Sequence, residues 1–303
     1  MKKIILFLLL ISNIGLLEIT SGSLIAEYIA SMEPKIDYFA TVKVTVGNSS
    51  DKMEVLKIGE YTSFSIKGKV SKIYIVKKGD MYSVVTEEPV NIGALLWAYR
   101  FSKDTSLINK NYYVVFEGYE NINNIKTMRV VFNPRYKSGI RRTVWIGVSP
   151  KILIKLEYRD QRGNLIRARE IESLQINPNS GKKRAIEALF ERGIKVPTRE
   201  KLLSPQEVGK QLGIDLILPT ALPIGYEFIG ADIPQDETAQ LVFSDGIGFI
   251  SIYQIKIPWW ARQNFPLEKK SYIEWESLGI HFIIIGDLPQ DMLLEVANSM
   301  KNK

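Results

Sequence analysis

The feature that most constrains this chain is a succession of short segments in which apolar and polar residues alternate, each ended by a turn signal. In TVKVTV, for example, Val42, Val44 and Val46 alternate with polar residues. Successive side chains of a β-strand point to opposite faces, so this pattern predicts strands with one apolar and one wet face. Clusters of Gly, Pro, Asn and Asp between the segments predict turns, and the chain is therefore predicted to form antiparallel sheet.

The strand-like segments fall into two series. The first ends with KTMRVVFNPR, RRTVWIGV, ILIKLEYRD and NLIRAREIESLQIN, and it is interrupted at residues 91–103 by an apolar segment typical of a buried helix. The second includes QLVFSDGIGFISIYQ, in which Ser244-Asp245-Gly246 predicts a hairpin turn. Two different sheets are the simplest arrangement for two separate series.

Helix signals lie between and after the two series. A helix is predicted at residues 182–192, and Ser204-Pro205-Gln206-Glu207 has the N-cap, the early proline and the later glutamate of a helix start. A final helix is predicted to begin near Pro289. We therefore expect a first domain at 24–178, a linker with a short helix at 179–203 and a second domain at 204–303.

The N-terminus predicts export from the cytoplasm. Lys2 and Lys3 precede an apolar run from Ile4 to Leu17, which is typical of a signal peptide and short of the ~20 residues that span a bilayer. Cleavage after Ser23 is expected, with an uncleaved anchor as the alternative. The chain has no cysteine, so neither a lipid-bearing N-terminal cysteine nor a disulfide is available. A periplasmic or other extracytoplasmic location is predicted.

The net charge of +7 does not by itself indicate nucleic acid as a partner. The basic runs Arg141-Arg142 and Lys182-Lys183-Arg184 are short, and we interpret them as solvated surface charge. No nucleic-acid partner is predicted.

Signals for catalysis are scarce. His281 is the only histidine, and it lies in the apolar segment GIHFIIIGD, which favours a structural role. None of the common hydrolase, zinc-protease, P-loop or dinucleotide-binding patterns occurs. No catalytic residue, metal or cofactor is therefore predicted, and an enzyme with unrecognised carboxylate chemistry is the alternative.

The aromatic residues offer the best candidates for binding. A curved sheet closed by a helix can leave an apolar hollow for a lipid-like ligand. Its candidate lining residues are Trp97, Phe101, Tyr113, Phe116, Phe132 and Trp145; the alternative is that they fill an ordinary core. Trp259-Trp260, in the proline-flanked segment KIPWWARQNFP, is a candidate partner contact, with packing against the domain edge as the alternative.

The order of these segments resembles the RseB/MucB family of sigma-E factor regulatory proteins. The resemblance rests on the strand that carries Trp145, on the Asp160 to Gly163 hairpin, on the SDG hairpin and on Gly286-Asp287-Leu288-Pro289 before the last helix. It implies an α+β fold: an N-terminal curved antiparallel half-barrel packed on helices, similar to LolA/LolB, and a smaller C-terminal antiparallel sheet domain with helices.

The resemblance also implies a function. It implies a non-catalytic, lipid- or lipopolysaccharide-sensing regulator that binds the exported segment of a membrane-bound anti-sigma factor. The alternative is a periplasmic lipid or lipoprotein carrier of the LolA type. Under the regulator hypothesis we expect the SDG hairpin to be scaffold for the smaller sheet, beside a surface for a partner.

Overall fold

The computed structural model describes residues 36–66, 72–77, 80–83, 105–137, 139–196, 202–235, 237–257 and 272–301. The predicted signal peptide and the predicted helix at 91–103 lie outside these residues. So do four of the candidate site residues, namely Trp97, Phe101, Trp259 and Trp260.

The larger of two sheets contains eleven of the described strands, all antiparallel to their neighbours, in the order β11-β5-β4-β3-β2-β1-β10-β9-β8-β7-β6. This order leaves the sheet open, with β11 and β6 at its edges. The strands are β1 (Tyr38–Val46), β2 (Ser49–Ile58), β3 (Tyr61–Ile66), β4 (Lys72–Lys77), β5 (Asp80–Ser83), β6 (Tyr112–Ile122), β7 (Ile125–Pro134), β8 (Arg141–Gly147), β9 (Leu153–Arg159), β10 (Leu165–Ile176) and β11 (Ile194–Val196).

The alternating sequence pattern becomes the buried face of this sheet. Val42 of β1 lies opposite Met53 of β2 and Ile171 of β10, and all three side chains are buried. Cross-strand neighbours project to the same face, so the register brings the apolar residues of successive strands together. They form a cluster with Tyr38, Ala40, Val55, Phe64, Ile152 and Ile154.

Two helices are adjacent to the larger sheet in the chain. The first helix, α1 (Thr105–Asn111), leads directly into β6 and had no clear signal in the sequence. The second, α2 (Ser180–Arg192), is N-capped by Asn179, whose side chain accepts a hydrogen bond from the Lys182 N–H. The segment after it forms β11, which pairs with β5, so the stretch expected to be a linker adds a strand to the larger sheet.

The smaller sheet has the order β12-β13-β14-β16-β15 and is also antiparallel. Helix α3 packs against β12 and β13, and helix α4 packs against β15 and β16. The elements are α3 (Pro205–Leu212), β12 (Glu227–Gln235), β13 (Thr238–Ser244), β14 (Phe249–Lys256), β15 (Ile273–Ser277), β16 (Ile280–Gly286) and α4 (Gln290–Lys301).

The ends and faces of the last two helices follow their sequences. Ser204 and Glu207 form the predicted capping box at the start of α3. Leu293, Val296 and Met300, one turn apart along α4, are buried against the smaller sheet. The α+β class predicted from the sequence, with an open antiparallel sheet and a smaller second sheet, is confirmed. Of the described helices, none has the length and apolar character needed to cross a bilayer.

Candidate functional site

The turn between β13 and β14 organises its own backbone. Asp245 Oδ1 accepts hydrogen bonds from the N–H groups of Ile247 (3.0 Å) and Gly248 (2.7 Å), and Ser244 Oγ accepts one from the N–H of Gly246 (2.9 Å). Short polar side chains commonly stabilise turns in this way. One carboxylate oxygen is thus used within the turn, and the second is directed at the larger sheet.

That second oxygen meets a buried arginine of the larger sheet. Asp245 Oδ2 lies 2.8 Å from Nη2 of Arg142 on β8, and the Tyr112 hydroxyl of β6 donates to it at 2.5 Å. Arg142 Nη2 also donates to the Tyr226 hydroxyl at 3.2 Å. The side chains of Arg142 and Asp245 are 0% and 6% exposed. The turn of the smaller sheet therefore inserts an anion beside a buried cation of the larger one.

Aromatic rings enclose the guanidinium group. Its central carbon lies 5.3 Å from the ring centroid of Tyr112 and 5.1 Å from that of Tyr158. These distances suit cation–π attraction, which is strongest where water is absent. The pair is thus held inside an aromatic enclosure.

The electrostatics fix which groups are charged. Burial opposes the charge of Arg142, but the attraction of Asp245, with smaller contributions from Tyr226, Tyr158 and Asp287, together outweighs this effect, and the pKa of Arg142 is raised. Burial, together with the nearby carboxylates, raises the pKa of Tyr158 and of Tyr226. The guanidinium is therefore charged and the two phenols are neutral at neutral pH.

Two glycines allow the turn to come this close. Gly246 has a φ of +101°, and a Cβ on it would lie 2.7 Å from the backbone nitrogen of Ile108 in α1. A Cβ on Gly248 would lie 2.3 Å from Arg142 Nη2 and 2.6 Å from the Tyr226 hydroxyl. Any side chain at either position would push the turn away from the larger sheet.

A second acid–base pair joins the sheets next to the first. Arg167 of β10 binds through Nη1 to Oδ1 of Asp287, which directly follows β16. In the register, Arg142 lies opposite Tyr158 and Tyr158 lies opposite Arg167. The larger sheet therefore presents a row Arg142–Tyr158–Arg167 across three strands, and each arginine receives one aspartate from the side of the smaller sheet.

Polar contacts of α1 extend this contact region. Asn111 Nδ2 donates to the backbone oxygens of Gly225 (2.8 Å) and Asp245 (2.9 Å). Lys110 forms an exposed ion pair with Glu227 at the start of β12. We call the whole contact the joint: Asn111, Tyr112, Arg142, Tyr158 and Arg167 on one side, and Tyr226, Asp245 and Asp287 on the other.

Apolar residues surround the joint, so its two sides share one core. Ile108 and Phe132, on the side of the larger sheet, belong to the same buried cluster as Ile247 and Leu288, on the side of the smaller sheet. A cleft at its edge, lined by Tyr136, Ile224 and Met292 among others, encloses only about 10 Å³. That volume suits one water molecule and not an acyl chain.

The described candidate lining residues divide between the two faces of the larger sheet. Phe132 is fully buried in the core shared with the smaller sheet, and Phe116 lies on the same face, because Val114 pairs with Phe132 and Phe116 with Val130. Tyr113 and Trp145 project to the opposite face. A ligand on one face could therefore touch only one of these pairs.

On that opposite face, charged side chains cover Trp145. Its ring lies 5.6 Å from the Arg129 guanidinium and 5.1 Å from Lys155 Nζ, and its Nε1 donates to Glu120. Tyr113, by contrast, is 57% exposed on the edge strand β6, with Arg135 over its ring at 3.9 Å. The two residues on this face thus have different surroundings.

His281 lies on β16, with its side chain 16% exposed, between Glu274 (3.7 Å) and Glu276 (3.9 Å) of β15. The strand is partly buried, with Ile280, Phe282 and Ile284 facing the core. Among the residues that the structure describes, no group of three or more acidic, His or Cys side chains is placed to bind a metal ion.

The joint is the feature that sequence reasoning missed. Arg142 was interpreted as solvated charge, and this was wrong because its side chain faces the core that the two sheets share. A signal was present: Arg142 alternates with Val144 and Ile146, so it falls on the apolar face of β8. An arginine on an apolar face needs a buried anion as its partner.

The protein resembles known proteins in its three-dimensional structure and not in its sequence. No family model and no curated protein matches the sequence. The crystal structure of MucB matches with a TM-score of 0.63 and 12% identity, over 91% of this chain and 95% of MucB. The MucA/MucB complex of Pseudomonas aeruginosa matches with a TM-score of 0.60 and 13% identity, over 91% of this chain and 96% of the matched chain. The structure of MucB in complex with MucA(peri) matches with a TM-score of 0.58 and 10% identity, over 92% of this chain and 96% of the matched chain.

The molecule is thus of the two-sheet α+β class in which an open antiparallel sheet carries a second, smaller sheet. Within that class it has the fold of MucB, over both sheets. The predicted RseB/MucB-like fold is confirmed.

Proposed function

We propose that this protein is an extracytoplasmic, non-catalytic regulator that binds the exported segment of a membrane-bound anti-sigma factor. The observation that carries the proposal is the match to MucB over both sheets, since two of the matched structures are complexes of MucB with MucA. A match limited to the larger sheet would have supported a carrier equally well.

The site chemistry is in keeping with binding. The buried charges of the joint are paired across the two domains, and the cleft beside them is too small for a substrate of ordinary size. A protein organised in this way can present surfaces of both domains to one partner. We also propose that the larger domain senses lipid.

Co-purification tests the proposal. The tagged protein, purified from detergent-solubilised membranes, should carry a single-pass membrane protein that it binds through that protein's exported segment. Repeated recovery of lipoproteins alone would instead indicate the carrier function. Native mass spectrometry of the same sample tests lipid sensing, because a bound acyl ligand adds a defined mass.

We propose Trp259 and Trp260 as the partner contact. Tryptophans dominate many interfaces, so replacing both by alanine should weaken partner binding by at least about 30-fold, or ~2 kcal/mol, in a titration with the exported segment. Leu278→Asn is the matched control, because Leu278 is an apolar residue in the turn between β15 and β16 and is 73% exposed. Equal affinity of the double variant and the control would remove these tryptophans from the interface.

A further inference from the structure

The two aspartate–arginine pairs of the joint suggest more than a static contact. We propose that Arg142–Asp245 and Arg167–Asp287 form a latch between the sheets, which opens as a unit while each sheet stays folded. The proposal does not depend on the identity of any partner.

The first support is topological. No described strand of the larger sheet pairs with a strand of the smaller one, so each sheet keeps its backbone hydrogen bonds if the joint opens. The smaller sheet contributes the four-residue turn 245–248 and the residue after β16, and these contact side chains of the larger sheet and the end of α1. Such contacts can separate without breaking a ladder of strands.

The second support is the incomplete pairing of Arg142. Within the described part of the chain, its Nε and Nη1 have no hydrogen-bond partner, although its side chain is fully buried. Asn111 Oδ1 is also buried without a partner there. Opening the joint would give these atoms free access to water, so their hydration favours opening and partly offsets the ion pairs and the apolar contacts that favour closure.

The third support is that the latch is specific. Two acids meet two bases in a row fixed by strand register, and the distance to Arg142 leaves no room for a side chain on Gly248. Removing one charge of a buried pair leaves the other uncompensated, so a single substitution should release the closed state.

Native-state hydrogen exchange of the unmodified protein is the first test. Amides of residues 105–112 and 245–248, on the two sides of the joint, should open together at a lower denaturant concentration than the amides of β8 and β14. Exchange of all four segments in one step would overturn the latch, because the two sheets would then be a single cooperative unit.

The second test uses a substitution on one side of the joint and measures hydrogen exchange on the other side. Asp245→Asn should accelerate exchange at residues 105–111, and Arg142→Met should accelerate it at 245–248. Each acceleration should be about 100-fold, because the unpaired charge that remains favours the open joint. Exchange in β8 and β14 should change by less than about threefold. Arg141→Gln is the matched control: it lies next to Arg142 on the same strand but pairs with Glu117 on the opposite face, and it should leave exchange unchanged.

A distance measurement covers the case in which a variant exchanges too fast to interpret. The chain has no natural cysteine, so Lys52→Cys and Leu278→Cys place two dyes selectively, one on each sheet. The latch predicts a broader and longer distance distribution for Asp245→Asn than for Arg141→Gln. Equal distributions, with exchange accelerated in all strands, would show that Asp245 supports the fold as a whole and not a separable joint.

Discussion

A single side chain, Arg142, links the chemistry of the joint to the packing of both sheets. Its neighbours along β8, Val144 and Ile146, are buried apolar residues, and its charge is matched by Asp245. Breaking a buried pair from one side typically costs about 3–5 kcal/mol, whereas the net contribution of the intact pair is small. The pair therefore selects one arrangement of the two sheets more than it stabilises either sheet.

The close approach at Gly248 leads to a prediction at the same scale. Gly248→Ala would place a methyl group against Arg142 Nη2 and the Tyr226 hydroxyl, so the free energy of unfolding should fall by about 1–3 kcal/mol. Chemical denaturation measures this. The control is Gly181→Ala in α2, where the nearest atom is 3.4 Å away and alanine favours the helix. A Gly248→Ala variant as stable as the control would show that the turn can move at no cost.

At the scale of elements, the sequence patterns predicted most strands well. The predicted strands from TVKVTV to NLIRAREIESLQIN correspond to strands of the larger sheet, since alternation and turn residues act locally. Helix α1 was missed because it is seven residues long and TSLINKN lacks a strong periodic pattern. Strand β11 was missed because three residues beside a helix carry almost no pattern of their own.

The joint could not be predicted from the sequence in the same way. The SDG turn was expected to be scaffold, and Gly286-Asp287 was noted only as part of the family resemblance. What gives them their role is a set of partners more than 80 residues away in the chain, such as Arg142 for Asp245 and Arg167 for Asp287. Local patterns indicate that a polar residue lies on a buried face, and they do not identify its partner.

Helix α3 allows a test of an individual element. Ser204→Ala removes the hydroxyl that accepts from the Glu207 N–H and donates to the Glu207 carboxylate, while the backbone N–H of residue 204 keeps its own bond to Glu207. Stability should therefore fall by about 1 kcal/mol in chemical denaturation. Gln206→Ala, in the first turn of the same helix but outside the capping box, should have a much smaller effect. Equal losses in the two variants would mean that the box does not hold this helix end.

At the scale of the whole molecule, three buried tyrosines link stability to alkaline pH. Burial raises the pKa of Tyr158, Tyr226 and Tyr253 above the ordinary value of about 10, so in the folded state they keep their protons where the unfolded chain loses them. Below pH 10 both states are protonated and these residues cause no pH dependence. Above it the unfolded state binds fewer protons, and stability falls as pH rises.

The size of this effect can be separated from other ionisations. Each such tyrosine should lower the free energy of unfolding by about 1.4 kcal/mol per pH unit above pH 10, measured by denaturation at pH 8, 10 and 11. Lysines ionise in the same range, so the comparison is made with Tyr158→Phe. This variant should reduce the dependence of the free energy of unfolding on pH by the contribution of one tyrosine. If the slope is unchanged in Tyr158→Phe, then Tyr158 ionises without opening the molecule. Solvent would then reach the Tyr158 ring beside Arg142 in the folded protein, and burial of the Arg142–Asp245 pair could not be the source of the joint's specificity.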